Sequence, residues 1–427
     1  MSSVKIVYIG AGSLAFGPKL VSDAVLTPEI KGAQLVLVDV NAENLEKIYR
    51  LALKMNAANG NPLTIEKTTD RRKALPNADF VLISIAMDRF EHWKYDIEIP
   101  RKYGIYQAKA ETGGPGGISL ILRNMPVLID IAQDVERLAP QAWVLNYTNP
   151  VNAMMYGINK WTKVRWIGLC DGMFGRVGDF ARLFETTYEN IDLKVAGINH
   201  CVWLQDARKV DTGEDLLAQL PEKLEENPDY QPLSQYLMKI FGLFPGPGDH
   251  EIGEFFPFAM EFLDAPGFEY SIRMQHKREN QERIDAVLSG KRDLGDWGHK
   301  RSREIALDFM ADILLNRGRR RLSGIVENRG NILNLPYDAI VEVPIVIDAS
   351  GIHPLKMDVL PEGLAKYLTL LLQVQKLAVE AAMTGSRELA LQALLLEPSV
   401  PSARAAEKML DEFLDVHREV LPDYWFR

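Results

Sequence analysis

The sequence predicts an α/β protein in which a doubly wound parallel sheet is followed by a second α/β domain. Three features point there: apolar runs too short for helices, helical stretches between them, and a glycine-rich turn directly after the first run. Apolar strands alternating with helices build a parallel sheet that is covered on both faces.

Val4-Lys5-Ile6-Val7-Tyr8-Ile9 reads as the first strand and stops at Gly10-Ala11-Gly12-Ser13. A helix is expected from about Pro18 to Leu26, then the strand Leu35-Val36-Leu37-Val38, which ends in Asp39. The alternation continues with a helix from about Ala42 to Ala58 and a buried strand, Phe80-Val81-Leu82-Ile83-Ser84-Ile85. A helix near Leu120 to Leu138 and the strand Trp143-Val144-Leu145-Asn146 complete the pattern. We place the first domain at residues 1–195 and the second at 196–427. The second carries helical stretches from Lys300 to Asn316 and from Pro361 to Thr384, a Pro/Gly-rich loop at Phe244-Pro245-Gly246-Pro247-Gly248, and a β-rich run from Ala339 to Ile347. The basic cluster from Arg317 to Arg321 reads as a solvated helix end.

Composition narrows the function. Of 427 residues, 47% are hydrophobic and 25% charged, the values of a globular protein whose length suffices to bury a core without a structural metal. Lys and Arg number 49 against 58 Asp and Glu, for a net charge of -9. Phosphate backbones select basic surfaces, so nucleic acid is not the expected partner. No apolar run reaches the ~20 residues that span a bilayer, so no membrane partner is expected either. The N-terminal residues lack a signal-peptide pattern, and Cys170 and Cys201 are too few for a disulfide framework. The expected compartment is the cytosol.

Gly10-Ala11-Gly12-Ser13-Leu14-Ala15 fits a dinucleotide-binding turn of the Rossmann type. Gly10 permits the tight strand-to-helix turn, and Gly12 with Ser13 lets the backbone approach a pyrophosphate at the positive end of the next helix. Asp39, closing the second strand, can accept from both hydroxyls of an adenosine ribose and repels a 2′-phosphate, which favours NAD over NADP.

Four further segments fall where such a sheet builds its site, beyond the strand ends. They are Glu111-Thr112-Gly113-Gly114-Pro115-Gly116-Gly117-Ile118, which leads into a helix carrying Arg123; Asn146-Tyr147-Thr148-Asn149-Pro150; Ile167-Gly168-Leu169-Cys170-Asp171-Gly172; and Val195-Ala196-Gly197-Ile198-Asn199-His200. A lone His or Cys is most often a core residue. Brought together at neighbouring strand ends, a thiolate and an imidazole can hold a metal and leave positions open for substrate oxygens.

With these motifs in order, the chain resembles glycoside hydrolase family 4, NAD-dependent glycosidases whose fold is related to lactate and malate dehydrogenases. The likeness runs nearly end to end, through Asp96-Ile97-Glu98-Ile99-Pro100, Gly114-Pro115-Gly116-Gly117, Asn328-Arg329-Gly330, Val341-Glu342-Val343-Pro344 and Gly351-Ile352-His353-Pro354-Leu355. The resemblance implies that Cys170 and His200 ligate a divalent metal, usually Mn²⁺. It also implies that Asn149 contacts the sugar, that Asp171 is the general acid, and that Asp249 is the base, with His250 or a Tyr as the alternative. Glu111, Arg123 and His250 join Asn149 as substrate-binding candidates.

The implied reaction is oxidation of the sugar at C3, loss of the C2 proton, elimination, water addition and re-reduction, which departs from the usual two-carboxylate glycosidase route. The expected substrate is an α-linked, unphosphorylated hexoside or hexuronide. The stretch before Asp96 lacks the arginine pattern of 6-phosphate-specific members, and Trp93 there either stacks on sugar or packs in the core. For a uronide, Arg89 or Lys94 is the carboxylate partner. The alternatives are a 6-phospho-glycosidase, whose versions Glu111-Thr112 and Cys170-Asp171 resemble, and a 2-hydroxy-acid dehydrogenase. The family's habit implies a homo-oligomer, a dimer or a tetramer.

Overall fold

A computed structural model describes residues 4–87, 89–263, 268–302 and 304–427, the side chains of Arg89, Phe268 and Glu269 excepted. Six parallel strands come first in the chain: β1 (Lys5–Ile9), β2 (Gln34–Val38), β3 (Thr64–Thr68), β4 (Phe80–Ile83), β5 (Trp143–Asn146) and β6 (Arg165–Gly168). They lie in the order β3-β2-β1-β4-β5-β6, the arrangement of a doubly wound dinucleotide fold. Alternation along β1 serves two cores. Ile6 and Tyr8 pack with Leu20, Leu45 and Ile48 from the helices Gly17–Val25 and Ala42–Ala58. Val7 and Ile9 face Ile121, Val374 and Ala378 from the helices Gly114–Leu138 and Glu362–Thr384.

The later strands β7 (Ile191–Ile198), β8 (Cys201–Lys209), β9 (Arg319–Glu327), β10 (Ile340–Asp348) and β11 (Gly351–Pro354) extend this same sheet. β9 joins β6 antiparallel where Ile325 sits opposite Gly168. The sheet therefore runs without a break through both halves of the chain.

Several local expectations shift. The helix expected near Leu120 starts at Gly114, because Pro115 sits in its first turn and Gly113 is extended before it. The helix expected from Lys300 is formed over Ala306–Leu314. The basic cluster is no solvated helix end: Arg319 to Arg321 open β9, and acids answer the charges. Arg317 pairs with Glu29, Arg320 with Asp192 and Arg321 with Asp312, each at 2.6 Å. Among the described residues, no helix is long and apolar enough to cross a membrane.

Candidate active site

The glycine turn is set by sterics. Gly10 has φ +91°, and a Cβ there would lie 2.0 Å from the Ser84 carbonyl oxygen at the end of β4. The Gly10 and Ala11 amides donate to the Val38 carbonyl at 2.9 and 3.0 Å, which fastens the turn to β2. The Gly12 amide donates to Asp39 Oδ2 at 2.8 Å, so close that a Cβ on Gly12 would sit 2.7 Å from Asp39 Cγ. Asp39 Oδ1 accepts from the Asn41 amide, and Ser13 Oγ from the Phe16 amide, just before the helix Gly17–Val25. Gly10, Gly12, Ser13 and Asp39 thus form one cradle at a helix N-terminus. Glycine turns at this place, between a strand and a helix N-terminus, are the form that dinucleotide-binding folds use.

The metal candidates meet. Cys170 follows β6, and His200 occupies the turn joining β7 to β8 in a left-handed conformation, φ +63°. Cys170 Sγ lies 3.2 Å from His200 Nε2. Burial pushes the thiol well above its usual range and pulls the imidazole below its own, so both are held in the neutral form. The turn is anchored by the Asn199 amide group, which donates to Glu342 at 3.0 Å, and by the Asn199 backbone N–H, which donates to Asn152 at 3.1 Å. Among the described residues no third His, Cys, Asp or Glu completes a cage.

The segment after residue 108 packs beside this pair. Ala110 is left-handed at φ +57°, a strained conformation for a residue with a Cβ, and it turns its neighbours inward. The backbone amides of Glu111 and Thr112 donate to the two oxygens of Glu254 at 2.7 and 2.9 Å. The Thr112 hydroxyl donates to Glu254 as well and lies 3.4 Å from His200 Nδ1. Glu111 accepts from Asn149 Nδ2 at 3.2 Å, while the buried Asn149 Oδ1 has no hydrogen-bond partner among the described residues. Lys109 reaches Glu251 at 2.9 Å. Burial would depress the Lys109 ammonium, but Glu251, Glu111 and Glu254 hold it above its ordinary value. Burial raises Glu254 to about 7 against the pull of Lys109.

Asp171 is exposed, directly after Cys170 and at the start of the helix Gly172–Leu183. Two expected site residues have other duties. Asp249 is engaged with the protein. Its carboxylate accepts from the Leu233 and Ser234 amides at 2.8 and 2.9 Å and from the Ser234 hydroxyl, capping the helix Pro232–Phe241. Arg123 does not reach a sugar. It is fully buried and forms a two-pronged pair with Asp96 at 2.9 and 2.6 Å, with His417 2.9 Å away. An interior guanidinium needs its counter-charge, and Asp96 supplies it.

His250 lies half-buried in the short helix Asp249–Ile252. Trp93 is a core residue, 3% exposed, packed on Ile97 and Ala110 with its Nε1 donating to the Lys109 carbonyl. The Arg89 side chain lies outside the described residues, and Lys94 pairs loosely with Glu91 at 3.7 Å. Sequence reasoning gave no role to Lys109, Thr112, Glu251 or Glu254. The usable signal was Glu254-Phe255-Phe256, a carboxylate beside an aromatic run that must find a partner once buried.

A dinucleotide-type cradle and a thiol–imidazole pair at the carboxyl ends of one doubly wound sheet define an enzyme of cofactor-assisted chemistry. Comparison with known proteins gives the family. The family 4 glycosyl hydrolase model matches residues 5–185, and the model of the family 4 glycosyl hydrolase C-terminal domain matches residues 195–400. An α-galactosidase of Bacillus subtilis (strain 168) is 31% identical over 98% of this chain and 99% of its own. An α-glucosidase of Erwinia rhapontici is 29% identical over 96% and 97%. The chain belongs to family 4 of the glycosyl hydrolases and is a glycosidase. Its fold matches a 6-phospho-α-glucosidase from gut microorganisms, solved in complex with NAD and Mn²⁺, with a TM-score of 0.89 at 23% identity over 99% of both chains. It also matches a deep-sea lactate dehydrogenase at TM-score 0.54 and 15% identity, over 90% of this chain and 100% of that one.

Proposed function

We propose that the protein cleaves an α-linked, unphosphorylated hexoside or hexuronide with NAD and a divalent metal, Mn²⁺ by preference. The observation that carries this reading is the approach of Cys170 Sγ to His200 Nε2 at 3.2 Å, joined through Thr112 and Glu111 to the unpartnered Asn149 Oδ1. A soft sulfur, an imidazole nitrogen and a nearby orphan carbonyl suit a divalent ion that also takes sugar oxygens. The α-glucosidase and α-galactosidase names of the relatives support the α-linked, unphosphorylated substrate.

When bound, the dinucleotide supplies reversible oxidation at sugar C3, and the metal supplies Lewis acidity toward the neighbouring oxygens. The chain's own residues do the rest. The glycine turn, whose missing side chains let the backbone come close, receives the pyrophosphate at the helix N-terminus, and the Asp39 carboxylate, with lone pairs to spare, receives the ribose. Asn149 orients a sugar hydroxyl. Asp171, exposed beside the metal pair, delivers a proton to the departing glycosidic oxygen. With Asp249 engaged as a helix cap, the reading gives removal of the C2 proton to His250. The same reading places a homo-oligomer in the cytosol, which fits two cysteines that are both unpaired.

Matched nitrophenyl α-glycosides, plain and 6-phosphorylated, assayed with NAD⁺ and Mn²⁺, test it. Turnover of only the phosphorylated member would reject the substrate class. Hydrolysis in D₂O should place deuterium at C2 of the released sugar, and an unlabelled C2 would reject the route.

A further inference from the structure

We propose that Thr112 and Glu254 are positioning residues that fix the tautomer of His200, so that its Nε2 lone pair is presented beside Cys170. The proposal rests on the reading that Cys170 and His200 hold the metal, and it follows from counting protons. Glu254 is 5% exposed, and each of its oxygens faces a backbone N–H, from Glu111 at 2.7 Å and from Thr112 at 2.9 Å. Above the value of about 7 to which burial raises it, Glu254 is ionised and can only accept. A threonine hydroxyl owns one proton, and Thr112 gives it to Glu254 Oε2. Toward His200 the same oxygen can then only accept, across 3.4 Å to Nδ1. The imidazole proton must therefore sit on Nδ1, and a neutral imidazole has only one. Nε2, 3.2 Å from Cys170 Sγ, is left bare.

The backbone makes the arrangement stiff. His200 at φ +63° and Ala110 at φ +57° both hold a left-handed conformation that costs a residue with a Cβ, one at the imidazole and the other just before the amides that grip Glu254. Carboxylates that orient a metal-ligating histidine usually touch it directly. Here a hydroxyl stands between them, so the order of donors along the relay decides which nitrogen is free.

Two variants disturb that order differently. Thr112→Val removes the acceptor from Nδ1. Glu254→Gln keeps the shape, but its NH₂ must face a backbone N–H and the Thr112 oxygen turns toward donating to Nδ1, which favours the wrong tautomer. Mn²⁺ alone is titrated into the full-length protein and followed by the electron paramagnetic resonance signal of the free ion. Thr112→Val should weaken binding roughly 10–100-fold, the usual cost of losing an outer partner of a ligand. Thr112→Ser, which keeps the hydroxyl, should restore it to within about threefold of wild type. NAD⁺ affinity should not move in any variant, and it reports the fold. Nitrogen chemical shifts of ¹⁵N-histidine-labelled, metal-free protein should show His200 protonated at Nδ1 in wild type and a shift toward Nε2–H in both Thr112→Val and Glu254→Gln. A wild-type His200 protonated at Nε2, or a Thr112→Val protein that binds Mn²⁺ as wild type does, would overturn the proposal. Wild type that takes up no Mn²⁺ would reject the metal reading, and the nitrogen shifts would still decide the relay. Should Glu254→Gln fail to fold, the two Thr112 variants carry the test.

Discussion

The glycine-turn cradle and the thiol–imidazole cluster, proposed to hold the dinucleotide and the metal, lie on one sheet yet are built by opposite rules. The cradle is local: Gly10, Gly12 and Ser13 follow one strand, Asp39 ends its neighbour, and contacts such as the 2.0 Å approach at Gly10 decide what fits. The pocket is assembled from distant parts, with Glu111 and Glu254 meeting across 143 residues of sequence. Its side chains are chosen for hydrogen-bond direction rather than size. A steric requirement leaves a glycine in the sequence, whereas a polar network leaves ordinary residues whose partners appear only once the chain has folded.

If the two regions are separable, variants should lose one function and keep the other. Cys170→Ser should abolish tight Mn²⁺ binding and cut kcat/KM by at least about a hundredfold, since a bound metal contributes several kcal/mol to the transition state. NAD⁺ titration of that variant should match wild type. Gly10→Ala should do the reverse, with NAD⁺ binding lost and Mn²⁺ uptake retained. A Cys170→Ser protein that also lost NAD⁺ would show the two regions to be one cooperative unit.

The next effect separates support from chemistry. Arg123→Met strands the buried Asp96 carboxylate and should cost about 3–5 kcal/mol in denaturant unfolding, with the sugar KM little changed in the folded enzyme. Asp96→Asn combined with Arg123→Met should recover most of that loss. A raised KM at unchanged stability would return Arg123 to the substrate. Smaller still is Asp249→Ala, which uncaps the helix Pro232–Phe241 and should cost about 1 kcal/mol. Asp249→Asn, whose NH₂ must face one of the two backbone N–H groups, should lower the melting temperature yet leave kcat near wild type, whereas a catalytic base would not survive that exchange.

The same contrast explains what was legible. The helix Ala42–Ala58 and strand β5 (Trp143–Asn146) match their expected ends, because the Asn41 cap and the short apolar run are local signals. β3 escaped notice because it is an edge strand with Thr64, Glu66 and Lys67 exposed. The β7–β8 hairpin lacks the usual glycine in its turn, where His200 takes the left-handed position instead. In the site, the motif residues Cys170, His200, Glu111 and Asn149 do come together. Arg123 and Asp249 were read for the substrate, and in the fold both answer protein groups, because a charged residue in a motif does not say whether its partner is substrate or protein. Asp96 lies 27 residues from Arg123, and no pattern joins them.

His417 offers the finest test, since it ties the end of the chain to the support of the pocket. Its Nε2 is 2.9 Å from Arg123 and 3.3 Å from Asp96, and its Nδ1 is 2.8 Å from His92 Nδ1, so one ring must donate and the other accept. Burial lowers His417 to about 4 despite the pull of Asp96, so the folded protein keeps it neutral. The unfolded chain takes up that proton near pH 6.5. The contribution to stability is therefore complete above about pH 6.5 and is lost as the pH falls toward about 4. Melting temperatures of wild type and His417→Gln should run parallel from pH 8 to about 6.5 and converge below it, because the glutamine has no proton to gain. Curves that stay parallel down to pH 5 would mean that the imidazole is charged in the fold, and the pair of Arg123 with Asp96 would then have to be read as a three-charge cluster.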